Sequence, residues 1–159
     1  MTIGLRKTGA IRGNMIQGSD EAAIRSLLEN QAQAIRVKDA DAVLAPYAPE
    51  IVRYDLAPPL ATTGSKGLRD DLIAWFDTWR GPIRYDLKDL SVTASGGIAF
   101  AYGFVRIGGT KRDGDVGDVW ARLTVCLRKG GEAWNIVHEH TSTPFYMDGS
   151  LRAAVDLTP

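Results

Sequence analysis

The sequence has little cysteine, little histidine and no excess of charge of either sign. Cys126 is the only cysteine in 159 residues, which excludes an intramolecular disulfide and a cysteine-based zinc site. Nineteen basic residues balance nineteen acidic ones without a dense basic cluster, which argues against nucleic acid or an anionic membrane as a partner. No apolar run suits a signal sequence or a membrane span of about 20 residues. We therefore expect a single cytoplasmic domain.

Apolar periodicity predicts three helices in the first half of the chain. Their predicted bounds are 19–37, 40–44 and 68–79, and Gly81-Pro82 is expected to end the third. Residues 1–18 carry no such pattern and are predicted to be a flexible tail. The helices thus occupy the half of the chain that precedes Pro82.

After Pro82 the apolar period changes to that of strands. Four runs follow, separated by short glycine-rich turns, at 83–93, 98–107, 116–127 and 133–142. Short turns of this kind place consecutive strands side by side and antiparallel. Together with a short strand at 50–56, the pattern predicts an α+β domain with its helices on one face of the sheet.

The closing strand contains both histidines of the protein. Side chains two apart on a strand share a face, so the alternation predicts a single row that starts apolar and ends polar. Such a row fits a strand that runs from a core towards the mouth of a pocket, and equally a strand that leaves the core for solvent. The predicted row consists of Trp134, Ile136, His138, His140 and Ser142.

In this order of elements the chain resembles the nuclear transport factor 2-like superfamily, and specifically its SnoaL-like branch of polyketide cyclase and ketosteroid isomerase relatives. The resemblance implies a domain at 19–146, with 147–159 as a C-terminal tail, and a cone-shaped, curved antiparallel sheet around the helices and a pocket. It also implies a homodimer that forms through the sheet surface. The matching segments are 20–24, Lys38-Asp39-Ala40-Asp41, Tyr47-Ala48-Pro49-Glu50, Gly64 and 134–142.

His138, His140 and Asp55 are the candidate catalytic residues. An imidazole titrates near neutral pH, so the histidine pair could act as general acid and base or bind an anion. Structural hydrogen bonds within the sheet are the alternative. Asp55 at a strand end could serve as a base if it is shielded, or it could pair with Arg53 or cap the following loop. The other residues of a steroid isomerase site cannot be placed on this sequence.

Five further residues are candidates for ligand binding. Trp120 and Arg122 share one face of their strand, and they would line the pocket only if that mixed row faces inwards. Tyr47, Tyr54 and Trp75 are candidates for the pocket wall, although aromatic stripes more often belong to the core. A metal would need a third ligand beside the histidines, for which only Asp55, Asp118 or Glu139 is available, and alternation turns Glu139 to the opposite face. We therefore expect no metal and no cofactor.

Two functions remain open on this basis. The first is a cofactor-free acid/base enzyme, an isomerase, cyclase or dehydratase, that acts on a small apolar carbonyl compound. The second is a module of the same fold that binds a small ligand or forms an oligomer without catalysis.

Overall fold

A computed structural model describes the backbone of residues 7–159 and the side chains from residue 18 onwards. Three helices come first, interrupted by two strands, and four long strands follow. The elements are α1 (Lys7–Arg36), α2 (Ala40–Leu44), β1 (Tyr47–Tyr54), β2 (Thr62–Thr63), α3 (Leu68–Asp77), β3 (Trp79–Ser95), β4 (Ile98–Lys111), β5 (Val116–Gly130) and β6 (Ala133–Ser142).

The first helix starts earlier than predicted. It begins at Lys7, so part of the predicted tail is helical, while residues 1–6 lie outside the described residues. No proline interrupts the chain before Gly18, so nothing breaks the helix there. Asp20 was predicted as a possible N-cap, but its carboxylate accepts hydrogen bonds from Lys129 Nζ (2.7 Å) and Trp134 Nε1 (3.3 Å). It therefore joins the middle of α1 to the sheet.

The third helix ends before its predicted limit. α3 stops at Asp77, and Trp79 is the first residue of β3, where it pairs with Lys111. Gly81-Pro82 lies inside that strand, at a break in register between Arg80 and Arg84. The apolar spacing reached Trp79 because this side chain is buried in the same cluster as Phe76, although it belongs to a strand.

The six strands form one curved, open sheet in the order β2-β1-β6-β5-β4-β3, which confirms the predicted α+β cone. The prediction of a wholly antiparallel sheet is wrong, because β1 and β6 run parallel. A parallel pair needs a long crossover, and here the connection contains α3 and the β3–β5 meander. This arrangement places the end of β1 beside the polar end of β6.

The helices pack on one face of the sheet, which we call the inner face. Ile24 and Leu28 of α1 join the main core there with alternate residues of β3 to β6. On β5 these residues are Ala121, Leu123, Val125 and Leu127, the aliphatic row of the sequence pattern. The opposite face, the outer face, carries the mixed polar and aromatic row of the same strand.

The C-terminal segment folds back on the domain. Phe145 forms a bridge with Ala153, and the Tyr146 hydroxyl donates to Asp156 at 2.8 Å. Lys88 Nζ donates to the carbonyl of Pro159 at 2.9 Å and lies 5.6 Å from the ring centre of Trp120, an outer-face residue. The end of the chain therefore lies against the outer face near β3.

Candidate functional site

A β-bulge in β6 decides which polar side chains face the interior. Ile136 pairs with Leu127, but the next pair along β5 is Cys126 with His138, so Val137 is the extra residue. An extra residue in one strand inverts the alternation that follows it. Two residues of β6 that lie on either side of Val137, an even number of positions apart, therefore point to opposite faces of the sheet.

The predicted single row of side chains on β6 is thus wrong. Trp134 and Ile136 are buried in the core on the inner face. Beyond the bulge, His138 and His140 pair with the mixed row of β5 and lie on the outer face. Glu139, predicted to point away from the pocket, turns inwards and is only 8% exposed.

Glu139 is the centre of a polar cluster on the inner face. The Tyr47 hydroxyl lies 3.1 Å from Oε1 and 3.0 Å from Oε2 and donates its hydrogen bond to this carboxylate. Arg53, which pairs with Glu139 across the parallel β1–β6 ladder, places Nε 3.4 Å from Oε1. The buried Arg53 Nε–H has no hydrogen-bond acceptor within the described residues, so this contact is an ion pair without hydrogen-bond geometry.

Burial controls the protonation of this cluster. Loss of solvent raises the pKa of Glu139 above its ordinary value, and the nearby Arg53 charge and the Tyr47 hydrogen bond only partly oppose that change. Burial, together with the Glu139 charge, also raises the pKa of Tyr47 well above that of a free phenol. The fold therefore holds a proton on Glu139 more tightly than water does, and it favours the protonated form of the adjacent Tyr47 phenol.

Arg53 connects the buried carboxylate to an exposed one. Burial would lower the pKa of its guanidinium, but the neighbouring acidic groups of Tyr47, Glu139 and Asp55 outweigh burial and raise that pKa. Asp55 Oδ2 accepts from Arg53 Nη2 at 2.6 Å, and Oδ1 accepts from the Leu56 backbone N–H at 2.7 Å. Asp55 therefore makes both contacts of the structural alternative: it pairs with Arg53 and caps the following loop.

Tyr85 of β3 lies on the inner face and packs against the core. Burial raises the pKa of its phenol, and the negative charge of Glu139 raises it further. The charge of Glu139 therefore favours the protonated form of two tyrosines, Tyr47 and Tyr85.

Most of the predicted site residues gather on the outer face instead. The Tyr54 ring meets the rings of His138 and His140 edge to face, with centroids 4.8 and 5.7 Å apart. His138 Nδ1 lies 2.9 Å from the carbonyl oxygen of Val52, which fixes the orientation of its imidazole. The structure thus joins these three predicted residues to one another but separates them from Glu139.

The remaining ligand-binding candidates are divided between three places. Trp120 and Arg122 share the outer face, because the aliphatic row of β5 is buried against the helices. Trp75 packs in a second core, with its ring centre 5.4 Å from that of Phe76 and 6.1 Å from that of Trp79. Of the five, only Tyr47 touches Glu139.

Sequence analysis missed Glu139 and Arg53 as members of one inner-face cluster. The available signal was the pair Ile136-Val137, where two adjacent apolar residues interrupt the alternation of β6. Such an interruption is compatible with a bulge, but it does not locate one, because no glycine or proline marks it. The inward orientation of Glu139 follows from the pairing of three strands.

The arrangement is suited to proton transfer by side chains. Within the described part of the chain, no group of three or more His, Cys, Asp or Glu side chains is placed to hold a metal ion. No described helix has the length and apolarity needed to cross a membrane. A buried carboxyl, a protonated phenol and a guanidinium can give and take a proton and stabilise an oxyanion.

Comparisons with known proteins identify relatives of the whole domain. The family model of the SnoaL-like domain matches residues 24–146. The crystal structure of a nuclear transport factor 2-like protein of unknown function from Pseudomonas putida KT2440 shares 33% sequence identity with this chain. The match covers 89% of this chain and 98% of that chain, with a TM-score of 0.81.

Two more distant structures share the fold. A ketosteroid isomerase-like protein from Erwinia carotovora atroseptica SCRI1043 is 24% identical, with 77% of this chain and 95% of that chain covered and a TM-score of 0.66. A protein of unknown function with a cystatin-like fold from Nostoc punctiforme PCC 73102 is 17% identical, with 77% and 89% covered and a TM-score of 0.63. No curated protein matches the chain.

Proposed function

Because the chain belongs to the family of SnoaL-like domains, we propose that it is a cofactor-free enzyme that moves a proton on a small carbonyl compound. Isomerisation, cyclisation and dehydration are the reaction types of this proposal. Glu139 gives and takes the proton, in place of the histidines that the sequence favoured. The neighbouring side chains of Tyr47 and Arg53 complete the proposed catalytic group.

The observation that carries the proposal is the buried Glu139 carboxyl with the Tyr47 hydroxyl 3.0 Å from Oε2. General acid/base catalysis is most effective when the pKa of the group lies near the working pH. Burial raises the pKa of Glu139 in that direction. A carboxyl with this environment on the inner face of a conical fold is a stronger candidate than a partly exposed imidazole on the outer face.

The proposed step is the removal of a proton from the carbon next to a carbonyl group. The Glu139 carboxylate takes the proton, and the electron pair of the broken C–H bond forms the double bond of an enolate. The negative charge then rests on the carbonyl oxygen, where a phenol hydroxyl or a guanidinium stabilises it. Return of the same proton to another carbon completes an isomerisation, with no other reactant consumed.

Deuterium exchange tests the proposed proton transfer directly, whichever of the three reaction types follows it. In D₂O, NMR follows loss of the protons next to the carbonyl in a panel of small cyclic and aryl ketones. Glu139→Gln should reduce the exchange rate of an accepted ketone about 10²- to 10⁴-fold, the usual contribution of a positioned acid or base. Glu50→Gln, an exposed carboxylate on β1, is the matched control.

The histidines provide the opposing arm of the same experiment. The double variant His138→Ala, His140→Ala should retain the wild-type exchange rate, because both imidazoles lie on the outer face. Loss of exchange in that variant, with the Glu139→Gln variant fully active, would refute the assignment of Glu139. Absence of enzyme-dependent exchange with every ketone would favour the non-catalytic alternative.

The alternative is a module that binds a small ligand or forms an oligomer without catalysis, and the aromatic side chains of the outer face support its oligomerisation form. Phe100 and Tyr102 on β4 are 45% and 52% exposed, and their rings stack with centroids 6.3 Å apart. Exposed apolar patches of this kind mark interaction surfaces. We propose a second copy of this chain as the partner, since a two-fold axis lets the same face serve both protomers. This surface lies on the face opposite Glu139, so loss of the dimer and loss of proton exchange test the two proposals separately.

A further inference from the structure

A second polar site lies away from the Glu139 cluster. It is an open pocket of about 450 Å³ between the α1–α2 connection, the start of β3 and the β4–β5 turn. None of its lining residues belongs to the Glu139 cluster, and three of them carry a positive charge. The lining consists of Lys38, Trp79, Arg80, Gly81 and Arg112.

The positive charges of this pocket are poorly compensated. Lys38 Nζ donates to the Trp79 carbonyl at 2.6 Å, and Arg80 Nη2 donates to the Arg112 carbonyl at 3.2 Å. Among the described residues no carboxylate forms an ion pair with Lys38 or Arg80, and residues 1–17 contain no acidic side chain. Of these three cations, Arg112 alone has such a partner within the described part of the chain, with Nη2 3.3 Å from Asp77 Oδ1, and both of those side chains are exposed.

The backbone at the pocket holds a lysine in an unfavourable conformation. Lys38 has φ of 63°, in the left-handed region where a lysine is less stable than glycine. This conformation ends α1, where the Asp39 N–H donates to the Ala34 carbonyl at 2.9 Å, and the hydrogen bond from the Lys38 ammonium group to the Trp79 carbonyl fixes the position of the charge. An ammonium that is already fixed loses less side-chain entropy when an anion binds.

A fourth positive side chain lies beside the wall of the pocket. Lys111 Nζ lies 3.4 Å from the centre of the Trp79 ring, so another cation sits beside the pocket. Burial lowers the pKa of this lysine, although the nearby Asp113 charge opposes the change. The buried Trp79 Nε1–H has no acceptor in the described part of the chain.

We propose that this pocket binds a small phosphate-bearing molecule. Lys38, Arg80 and Arg112 together favour a ligand with more than one negative charge, and the guanidinium group matches phosphate oxygens in pairs. The open pocket, of about 450 Å³, leaves room for an organic group beside the phosphate. The three positive side chains hold the phosphate, and the organic part extends towards the open side of the pocket.

Calorimetric titration with inorganic phosphate and with phenyl phosphate tests this assignment. Both titrations use the full chain, with ionic strength held constant by chloride, so that general screening does not contribute. Specific binding should appear as saturable heat with a stoichiometry of one per chain. Tighter binding of phenyl phosphate would identify an ester as the ligand, and equal binding would identify free phosphate.

Variants separate the pocket from general surface charge. Arg80→Gln should weaken phosphate binding about tenfold or more, the effect of losing one charge-assisted hydrogen bond. Arg128→Gln, which removes an exposed arginine of β5, is the matched control and should bind as the wild type does. Circular dichroism verifies that each variant is folded. Glu139→Gln should also bind phosphate normally, so failure of the catalytic proposal leaves this one intact.

Two results would overturn the phosphate assignment. One is the absence of any saturable heat with both phosphate probes at millimolar concentration. The other is an equal loss of affinity in the Arg80→Gln and Arg128→Gln variants, which would mean that phosphate responds only to the overall charge of the protein.

Discussion

Replacement of Glu139 by glutamine should change how the stability of the protein depends on pH. Glutamine keeps the shape of the side chain but has no titrating proton. In the wild type the folded state raises the pKa of Glu139 above its ordinary value of 4.5. The folded protein therefore binds this proton more tightly than the unfolded chain does, which stabilises the wild type at low pH.

The sign and the size of the effect follow from proton linkage. Below pH 4.5 Glu139 is protonated in both states and the stabilisation is fully present. Between that pH and the raised pKa only the folded state keeps the proton, so the free energy of unfolding falls by about 1.4 kcal/mol per pH unit. Above the raised pKa the loss is complete and the curve is level again. Glu139→Gln lacks this loss.

Urea unfolding at a series of pH values measures the difference. The free energy of unfolding of Glu139→Gln minus that of the wild type should rise with pH across this window, because other groups titrate in both proteins and cancel. With a urea dependence of about 1–3 kcal/mol per M, the unfolding midpoints should diverge by about 0.5–1.4 M per pH unit. Glu50→Gln, on the exposed side of β1, should show no such trend.

The opposite slope would refute the reasoning. If the difference fell with rising pH, the ionised carboxylate would be the form that the fold stabilises. The attraction of Arg53 and the Tyr47 hydrogen bond would then outweigh burial, and Glu139 would be a structural ion-pair partner instead of a proton-exchanging group.

Three further predictions concern the same cluster, the core and the outer face. Tyr47→Phe removes a hydrogen bond that lowers the pKa of Glu139, so its cost in unfolding free energy should be larger at pH 8 than at pH 4; a cost independent of pH would contradict this. Ile136→Ala, at a fully buried side chain, should lower the free energy of unfolding by about 2–5 kcal/mol in urea titrations, and a loss below about 1 kcal/mol would argue against its placement in the core. Tyr102→Glu should convert the proposed dimer to monomers in light scattering, whereas Leu60→Glu, at a side chain that is 96% exposed in a loop, should not. A wild-type protein that is already monomeric at micromolar concentration would contradict the dimer.

Local patterns were sufficient for most of the secondary structure. The β6 bounds at 133–142 were predicted as the structure has them, because glycine-rich turns and alternation delimit that strand. Errors arose where a local pattern fits two structures. Trp79 satisfies helical spacing and also begins β3, and Ser19-Asp20 resembles a helix cap inside a longer helix. In both places contacts with distant residues decide the outcome.

The sequence by itself determined the α+β class, the order of the elements and the family, because these depend on periodicity, turns and local motifs. The tertiary structure decided which polar residues meet. The bulge at Val137 reverses the faces of β6, and the parallel pairing of β1 with β6 brings Arg53 beside Glu139. A register shift of a single residue leaves composition and spacing unchanged, yet it exchanges every inward side chain for an outward one.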